Sequence, residues 1–182
     1  LGMGAVSLFG TVAQREWLDR TRAGQAIAAF ALTEPGSGSD VAATATTATR
    51  VQGGWVLNGT KTWISNGGIA DVYTVFARTG EAPGARGLSA FLMPADTSGL
   101  TVTERQHTIA PHPLATLTLT DAGLPDAALI GDAGAGFRIA MTGLDGGRLN
   151  IGACSLGGAQ RCLDEAIRYT KERRQFGHPI AD

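Results

Sequence analysis

The stretch between residues 28 and 129 restricts the fold of this sequence more than any other part. It is a series of short apolar segments separated by Gly, Pro, Asn and Asp, a pattern typical of β-strands joined by turns. Within it, Asn58-Gly59 is a strong signal for a two-residue hairpin turn. Several short strands of this kind predict a β-barrel or a sandwich. The predicted strands are 28–33, 44–51, 55–57, 60–64, 71–77, 88–93, 100–105 and 115–120.

Both ends of the sequence favour helices instead. Thr11 and Gln14 fit a capping box, so a short helix should follow and end before Gly24. After residue 131 the pattern predicts a short helix, a break at Asp145-Gly146-Gly147, and a long helix from about residue 148 to residue 172. The predicted fold class is therefore α+β, with a middle β-barrel domain flanked by α-helical segments. The expected domains are residues 1–27, 28–131 and 132–182.

The predicted long helix carries an apolar stripe that the β-rich part is too small to cover. Its members recur at spacings of three to five residues. We therefore expect further helices to pack on it, and we expect the sequence to be part of a longer protein, because it also begins without Met. The stripe consists of Ile151, Leu156, Ala159, Leu163, Ala166 and Ile167.

Composition narrows the class of protein. The net charge of −1 gives the chain no general attraction to nucleic acid or to anionic membranes, and no apolar run is long enough to span a bilayer. Cys154 and Cys162 lie about 12 Å apart on a helix, too far for a disulfide, and are expected to be small core residues in a reducing compartment. The three His residues lack the spacing of a metal site, so no metal is expected.

Two motifs carry most of the functional signal. Residues 31–40 form an apolar strand that breaks into the loop Thr-Glu-Pro-Gly-Ser-Gly-Ser-Asp, and such loops bring backbone N–H groups close to anionic or planar ligands. Residues 61–68 place a Trp and two hydroxyls at the end of a strand. An ordinary turn and a buried core Trp are the alternatives from the residues alone.

Two further groups lie near the C-terminal end. Asp145 and Arg148 flank the predicted helix break and could form a cap and a surface charge, or a ligand site. Residues 172–177 read Glu-Arg-Arg-Gln-Phe-Gly, which by itself is compatible with a helix end and its Gly cap.

In this order, the motifs resemble those of the acyl-CoA dehydrogenase family of flavoenzymes, over nearly the whole chain. The resemblance implies FAD as cofactor, with Phe30, Leu32 and Thr33 lining the flavin, Trp63 against one face of its ring, and Ser65 near N5. It places Ser39, Asp145 and Arg148 near the acyl-CoA substrate. Arg173 and Gln175 would reach the FAD pyrophosphate of a neighbouring subunit, which implies a homodimer or homotetramer. The implied cofactor-binding residues are Phe30, Leu32, Thr33, Gly38, Ser39, Trp63, Ile64, Ser65, Arg173 and Gln175.

The reaction that the resemblance implies is α,β-dehydrogenation of an acyl-CoA thioester to the 2-enoyl-CoA. A carboxylate takes the α-proton, the β-hydrogen leaves as hydride to the flavin, and an electron-transfer flavoprotein receives the electrons. One subgroup supplies this base at the position of Gly147, which cannot act as one. Glu34 and Glu172 lie in flavin-side motifs and are not assigned. The base is therefore expected downstream, and these 182 residues alone are expected to be inactive.

Other properties follow from the same resemblance. The sequence around residues 146–157 is most similar to short branched-chain members such as isobutyryl-CoA dehydrogenase, and the expected location is the cytoplasm or, in a eukaryote, the mitochondrial matrix. Residues 107–114, which contain His107 and His112, depart from the family pattern and are expected to shape a pocket edge. The alternatives are an oxidase or monooxygenase on the same fold, and a non-catalytic nucleotide-binding relative.

Overall fold

The computed structural model describes residues 2–182. The chain separates into two compact units, one ending at Gly143 and the other beginning at Leu144. The first is mainly β-sheet and the second mainly helix, so the predicted α+β class is confirmed. The helices are α1 (Gly4–Phe9), α2 (Arg15–Arg22) and α3 (Gly136–Glu172). The strands are β1 (Ala28–Ala31), β2 (Thr47–Val51), β3 (Gly54–Ser65), β4 (Val72–Arg78), β5 (Leu88–Pro94), β6 (Leu100–Gln106), β7 (Leu114–Pro125), β8 (Leu129–Ile130), β9 (Arg174–Gln175) and β10 (His178–Pro179).

The first unit is organised around an eight-stranded sheet. Its pairing runs in the order β6-β7-β3-β2-β4-β5-β8, and β1 lies parallel to β4. Strands β3 and β7 are antiparallel and paired along most of their length, which makes them the longest ladder of the sheet. Closure of this sheet into a barrel, and the three domain limits, stay predictions.

The core of the first unit lies against the central strands. All but the last residue of both β4 and β5 are buried, as expected for strands covered on both faces. The core cluster includes Leu57, Tyr73, Phe91, Met93 and Leu117. This packing gives the loops at the strand ends a rigid base.

The capping box predicted before α2 is confirmed. The Thr11 N–H donates to Gln14 Oε1 at 3.0 Å, and the Gln14 N–H donates to Thr11 Oγ1 at 3.3 Å. Gln14 Nε2 also donates to the carbonyls of Ala127 and Leu129 at 2.8 and 2.9 Å, which ties the start of α2 to β8. The helix ends before Gly24, whose φ is +71°, as the sequence indicated.

The hairpin predicted at Asn58-Gly59 is wrong, because β3 runs without a turn from Gly54 to Ser65. A Cβ at Gly59 would lie 2.5 Å from Thr46 Oγ1, so the glycine permits a close approach of two backbone segments. Asn58 exchanges two hydrogen bonds with Asp121 across a bulge in the β3–β7 ladder. Tertiary contact therefore sets the conformation of this dipeptide.

The helix break predicted at Asp145-Gly146-Gly147 is also wrong, since α3 is continuous over 37 residues. A glycine inside a helix costs only about 1 kcal/mol relative to alanine, and it keeps its N–H donor. Breaking the helix would leave additional N–H and carbonyl groups without partners. The free energy that two glycines cost inside the helix is smaller than the cost of these lost hydrogen bonds, so the helix continues.

The two cysteines are exposed, which contradicts the expectation that they are core residues. They lie on the helical unit, where the predicted apolar stripe is also exposed at Ile151, Leu156 and Leu163. Among residues 2–182, no helix is both long and apolar enough to cross a membrane. In the same residues, no three His, Cys, Asp or Glu side chains are grouped as a metal site would require.

Candidate functional site

The loop that follows β1 is shaped by its own hydrogen bonds. Glu34 and Ser37 exchange backbone hydrogen bonds of 2.9 and 3.1 Å, which close a turn. The Ser37 hydroxyl donates to the Asp40 carbonyl at 2.7 Å. Gly38 and Ser39 lie exposed between them, and within residues 2–182 the N–H groups of these two residues find no acceptor. The loop therefore offers free backbone donors at its surface.

A buried ion pair stabilises this loop through hydrogen bonds. Lys61 is 0% exposed and Glu34 is 6% exposed. The Lys61 ammonium donates to Glu34 Oε1 at 2.7 Å and to the Leu32 carbonyl at 3.1 Å. The Glu34 carboxylate also accepts from the N–H groups of Ala45 at 2.7 Å and Thr46 at 3.0 Å. One pair of side chains thus connects the end of β1, the loop, and the segment before β2.

Burial and ion pairing shift the pKa of each of these two groups in opposite directions. Burial lowers the pKa of Lys61 to about 8, although the Glu34 carboxylate favours the charged ammonium. Burial also opposes ionisation of Glu34, but the Lys61 charge and the hydrogen bonds from Lys61, Thr46 and Ala45 together lower the pKa of Glu34 below its ordinary value. Both groups are therefore charged at neutral pH.

The two sequence motifs meet directly beside this pair. The Thr62 N–H donates to the Thr33 carbonyl at 2.9 Å, so the residue after Lys61 is bonded to the residue before Glu34. The sequence reasoning gave no role to Lys61 and none to Glu34. Nothing in the local sequence signals their contact, because the two residues lie on separate elements.

Trp63 is exposed although its two neighbours are buried. Trp63 is 57% exposed as a residue, whereas Thr62 and Ile64 are 9% and 1% exposed. Its φ is +57°, in the left-handed region that bulky residues rarely adopt. A buried core Trp, the alternative left open by the sequence, is therefore excluded. This backbone conformation turns the indole out of the sheet and lowers the stability of the fold by about 1–3 kcal/mol.

Ser65 lies two residues further along β3 and is also exposed. Its hydroxyl is 2.9 Å from Nε2 of His112, which lies in the segment 107–114 that the sequence predicts at a pocket edge. His112 belongs to the segment that connects β6 and β7, and the Asn66 N–H donates to the carbonyl of Pro113 in that segment at 2.9 Å. The connecting segment therefore lies against the exposed end of β3.

The apolar residues predicted at the site are less accessible. Leu32 is 7% exposed and Ile64 is 1% exposed, so their side chains mainly contribute to the core. Phe30 is half-buried, with its ring centroid 4.9 Å from that of Phe76. Of these three predicted residues, Phe30 retains the most side-chain surface for a ligand.

In the second unit, Asp145 and Arg148 form an ion pair one helical turn apart. Both side chains are well exposed, at 71% and 65%. An exposed pair of this kind stabilises a helix by less than about 1 kcal/mol. Both groups therefore remain accessible to a charged ligand.

The predicted residues Arg173 and Gln175 lie at a small hairpin formed by β9 and β10. Phe176 and Gly177 form its tip with φ values of +52° and +86°, and the Phe176 side chain is fully exposed. The Arg173 guanidinium donates to the Tyr169 hydroxyl and lies 5.6 Å from the centre of that ring. The hairpin presents an arginine, an amide and an aromatic ring to its surroundings.

Comparison with known proteins shows the family of the chain. Residues 29–122 match the model of the acyl-CoA dehydrogenase middle domain, and residues 134–182 match that of the acyl-CoA dehydrogenase C-terminal domain. The chain belongs to the acyl-CoA dehydrogenase family. The family that the motifs predicted is therefore confirmed.

Individual relatives agree with this assignment. The mitochondrial isobutyryl-CoA dehydrogenase of Dictyostelium discoideum is 43% identical over 97% of this chain and 43% of its own length. The butyryl-CoA dehydrogenase structure from Megasphaera elsdenii matches with a TM-score of 0.91 at 37% identity, covering 98% of this chain and 48% of that one. An acyl-CoA dehydrogenase from Bacillus anthracis, solved in complex with FAD, matches with a TM-score of 0.88 at 37% identity, covering 99% and 31%. The chain thus spans less than half the length of these relatives.

Proposed function

We propose that this chain forms the flavin-binding part of an FAD-dependent acyl-CoA dehydrogenase. The observation that carries the proposal is Trp63, an exposed indole held in a strained conformation beside the Ser65 hydroxyl. A flavin ring is planar, apolar on its faces and polar along its edge. An indole face with hydroxyls nearby suits such a ring, and the free N–H groups of Gly38 and Ser39 suit phosphate oxygens.

When bound, FAD would supply the two-electron acceptor. Trp63 would cover one face of the ring, while the side chains of Thr33 and Ser65 would offer hydrogen bonds to its polar edge. The FAD complex of the relative from Bacillus anthracis supports this cofactor. The hydrogen bond between Thr62 and Thr33 supports a shared role for the two motifs, because it ties them together.

The substrate would be an acyl-CoA, with Asp145 and Arg148 near its thioester and CoA arm. Glu34 is unsuited to be the base, because its carboxylate is buried and already accepts hydrogen bonds from Lys61, Ala45 and Thr46. We therefore expect the base outside these residues. The isobutyryl-CoA relative favours a short, branched acyl group.

The assembly and the electron acceptor are also proposals. Arg173 and Gln175 would bind the FAD pyrophosphate of a second subunit in a homodimer or homotetramer, and their position on an exposed hairpin supports this. An electron-transfer flavoprotein would accept the electrons. Because a relative is mitochondrial, the mitochondrial matrix or a bacterial cytoplasm is the proposed location.

The test is anaerobic titration of the full-length protein with a series of acyl-CoAs while the flavin absorbance is recorded. We expect bleaching by short acyl-CoAs and fast reoxidation only when an electron-transfer flavoprotein is added. Rapid reoxidation by oxygen would instead indicate an oxidase or monooxygenase. A protein that binds no flavin, or whose flavin no acyl-CoA bleaches, would contradict the proposal.

A further inference from the structure

We propose that the Glu34–Lys61 ion pair is a positioning device that fixes the two flavin-facing stretches relative to each other. The inference rests on the proposed function, because it assigns these stretches to the flavin. The geometry of the pair is independent of that assignment: it is nearly fully buried and connects three separate segments of the chain.

The two charged residues lie next to the stretches that are proposed to face the flavin. Glu34 directly follows Thr33, and Lys61 lies two residues before Trp63. The Thr62 N–H, next to Lys61, donates to the carbonyl of Thr33, next to Glu34. A displacement of either charge would therefore move a residue proposed to contact the flavin.

The two charges also bind backbone groups that have to keep their positions. The ammonium binds the Leu32 carbonyl, and the carboxylate binds the N–H groups of Ala45 and Thr46, so three backbone groups depend on the pair. Two apolar side chains could fill the same volume but could not bond these groups. Because charged hydrogen bonds are directional, the pair specifies the path of the loop in addition to filling space.

The variants for the test are Lys61→Met, Glu34→Gln and the double variant, all in the full-length flavoprotein. Arg50→Met is the matched control, since it removes one charge from the half-exposed Arg50–Asp126 pair in the same unit. Phe91→Leu is a second control that loosens the core in β5, a strand paired with neither β1 nor β3. The measurements are the flavin circular dichroism, the rate of flavin reduction, and KM for the acyl-CoA.

For the three pair variants we expect an altered flavin dichroism spectrum and reduction slower by about tenfold or more, with KM changed less than about threefold. The double variant should stay slow, because the Leu32 carbonyl loses its ammonium donor and the single acceptor oxygen of glutamine cannot replace both carboxylate oxygens. Wild-type dichroism and reduction rates in Lys61→Met would overturn the inference. So would equal slowing in Phe91→Leu, since that would mark a general loss of stability.

Hydrogen exchange of residues 33–46 in the flavin-free full-length protein separates this inference from the proposed function. Faster exchange in the pair variants than in both controls is expected whether or not the protein oxidises acyl-CoA. If the wild type binds no flavin, the proposed function fails, while this measurement still tests whether the Glu34–Lys61 pair holds the loop. Unchanged exchange in all three pair variants would refute the positioning role of the pair even in an active enzyme.

Discussion

Replacing Lys61 with methionine should destabilise the region around Glu34 by an amount that depends on pH. The change leaves a buried carboxylate without its cation, and breaking a buried ion pair in this way costs about 3–5 kcal/mol. Glu34 keeps the N–H groups of Ala45 and Thr46 as donors, which favours the lower end of that range. About 3 kcal/mol corresponds to an increase of about 100-fold in the equilibrium constant for local opening.

The sign of the pH dependence follows from the pKa of Glu34. In the native protein this pKa is lowered, so the stabilisation is complete above the ordinary value of 4.5 and is lost as the pH falls through the folded value. Without Lys61, burial raises the pKa of Glu34, and the folded variant takes up a proton at a higher pH than the unfolded chain. The stability difference between wild type and variant should therefore be larger at pH 7 than at pH 5 and shrink further below about pH 5.

Hydrogen exchange of the amides of residues 45–46 in the full-length protein measures this difference, once the rates are corrected for intrinsic exchange at each pH. The double variant Glu34→Gln/Lys61→Met is the control, because without either charge its exchange should not share this pH dependence. A Lys61→Met destabilisation that stays constant from pH 4.5 to 7.5 would refute the reasoning. So would a variant that is as stable as the wild type at pH 7.

Three further predictions concern single residues. Gly59→Ala should lower the free energy of unfolding by about 2–3 kcal/mol, because its Cβ would meet Thr46 at 2.5 Å, whereas Gly123→Ala, with no atom within 4 Å, should be near neutral in denaturant unfolding. Ser65→Ala should slow flavin reduction by acyl-CoA while circular dichroism shows an intact fold, and an unchanged rate would contradict its placement near the flavin. His112→Ala should shift the flavin absorbance spectrum, because the Ser65 hydroxyl loses its imidazole partner, and an identical spectrum would contradict a role for His112 beside the flavin.

Sequence reasoning succeeded where the determining interactions are local. The capping box at Thr11 and Gln14 depends on contacts three residues apart, and both of its hydrogen bonds form. The same reasoning failed at Asn58-Gly59, where the dipeptide has a strong local preference for a turn. There the close approach of Thr46 to Gly59 and the pairing with β7 determine the conformation. Neither contact can be read from the neighbouring residues.

At the candidate site, too, the local motifs could be predicted and the long-range contact could not. The motifs that contain Thr33 and Trp63 could be found because their residue types are unusual in combination. The ion pair that supports these motifs could not be predicted. Glu34 and Lys61 are 27 residues apart, and glutamate and lysine are solvent-exposed at most positions in proteins. A contact between two strands depends on register, and the register of β3 is shifted by bulges that the sequence does not signal.

The conformation of Trp63 links the stability of this unit to its proposed function. A left-handed backbone at a bulky residue is unfavourable by about 1–3 kcal/mol, and an indole that is 57% exposed recovers only part of the energy that full burial would give. Such a conformation persists only when the surrounding structure over-determines it. Here the hydrogen bond from Thr62 to Thr33 precedes it, and Asn66, bonded to the carbonyls of Ala28 and Pro113, follows it. The fold thus holds an aromatic face towards solvent at a cost to its own stability, and a planar ligand on that face is the physical reason that best accounts for the cost.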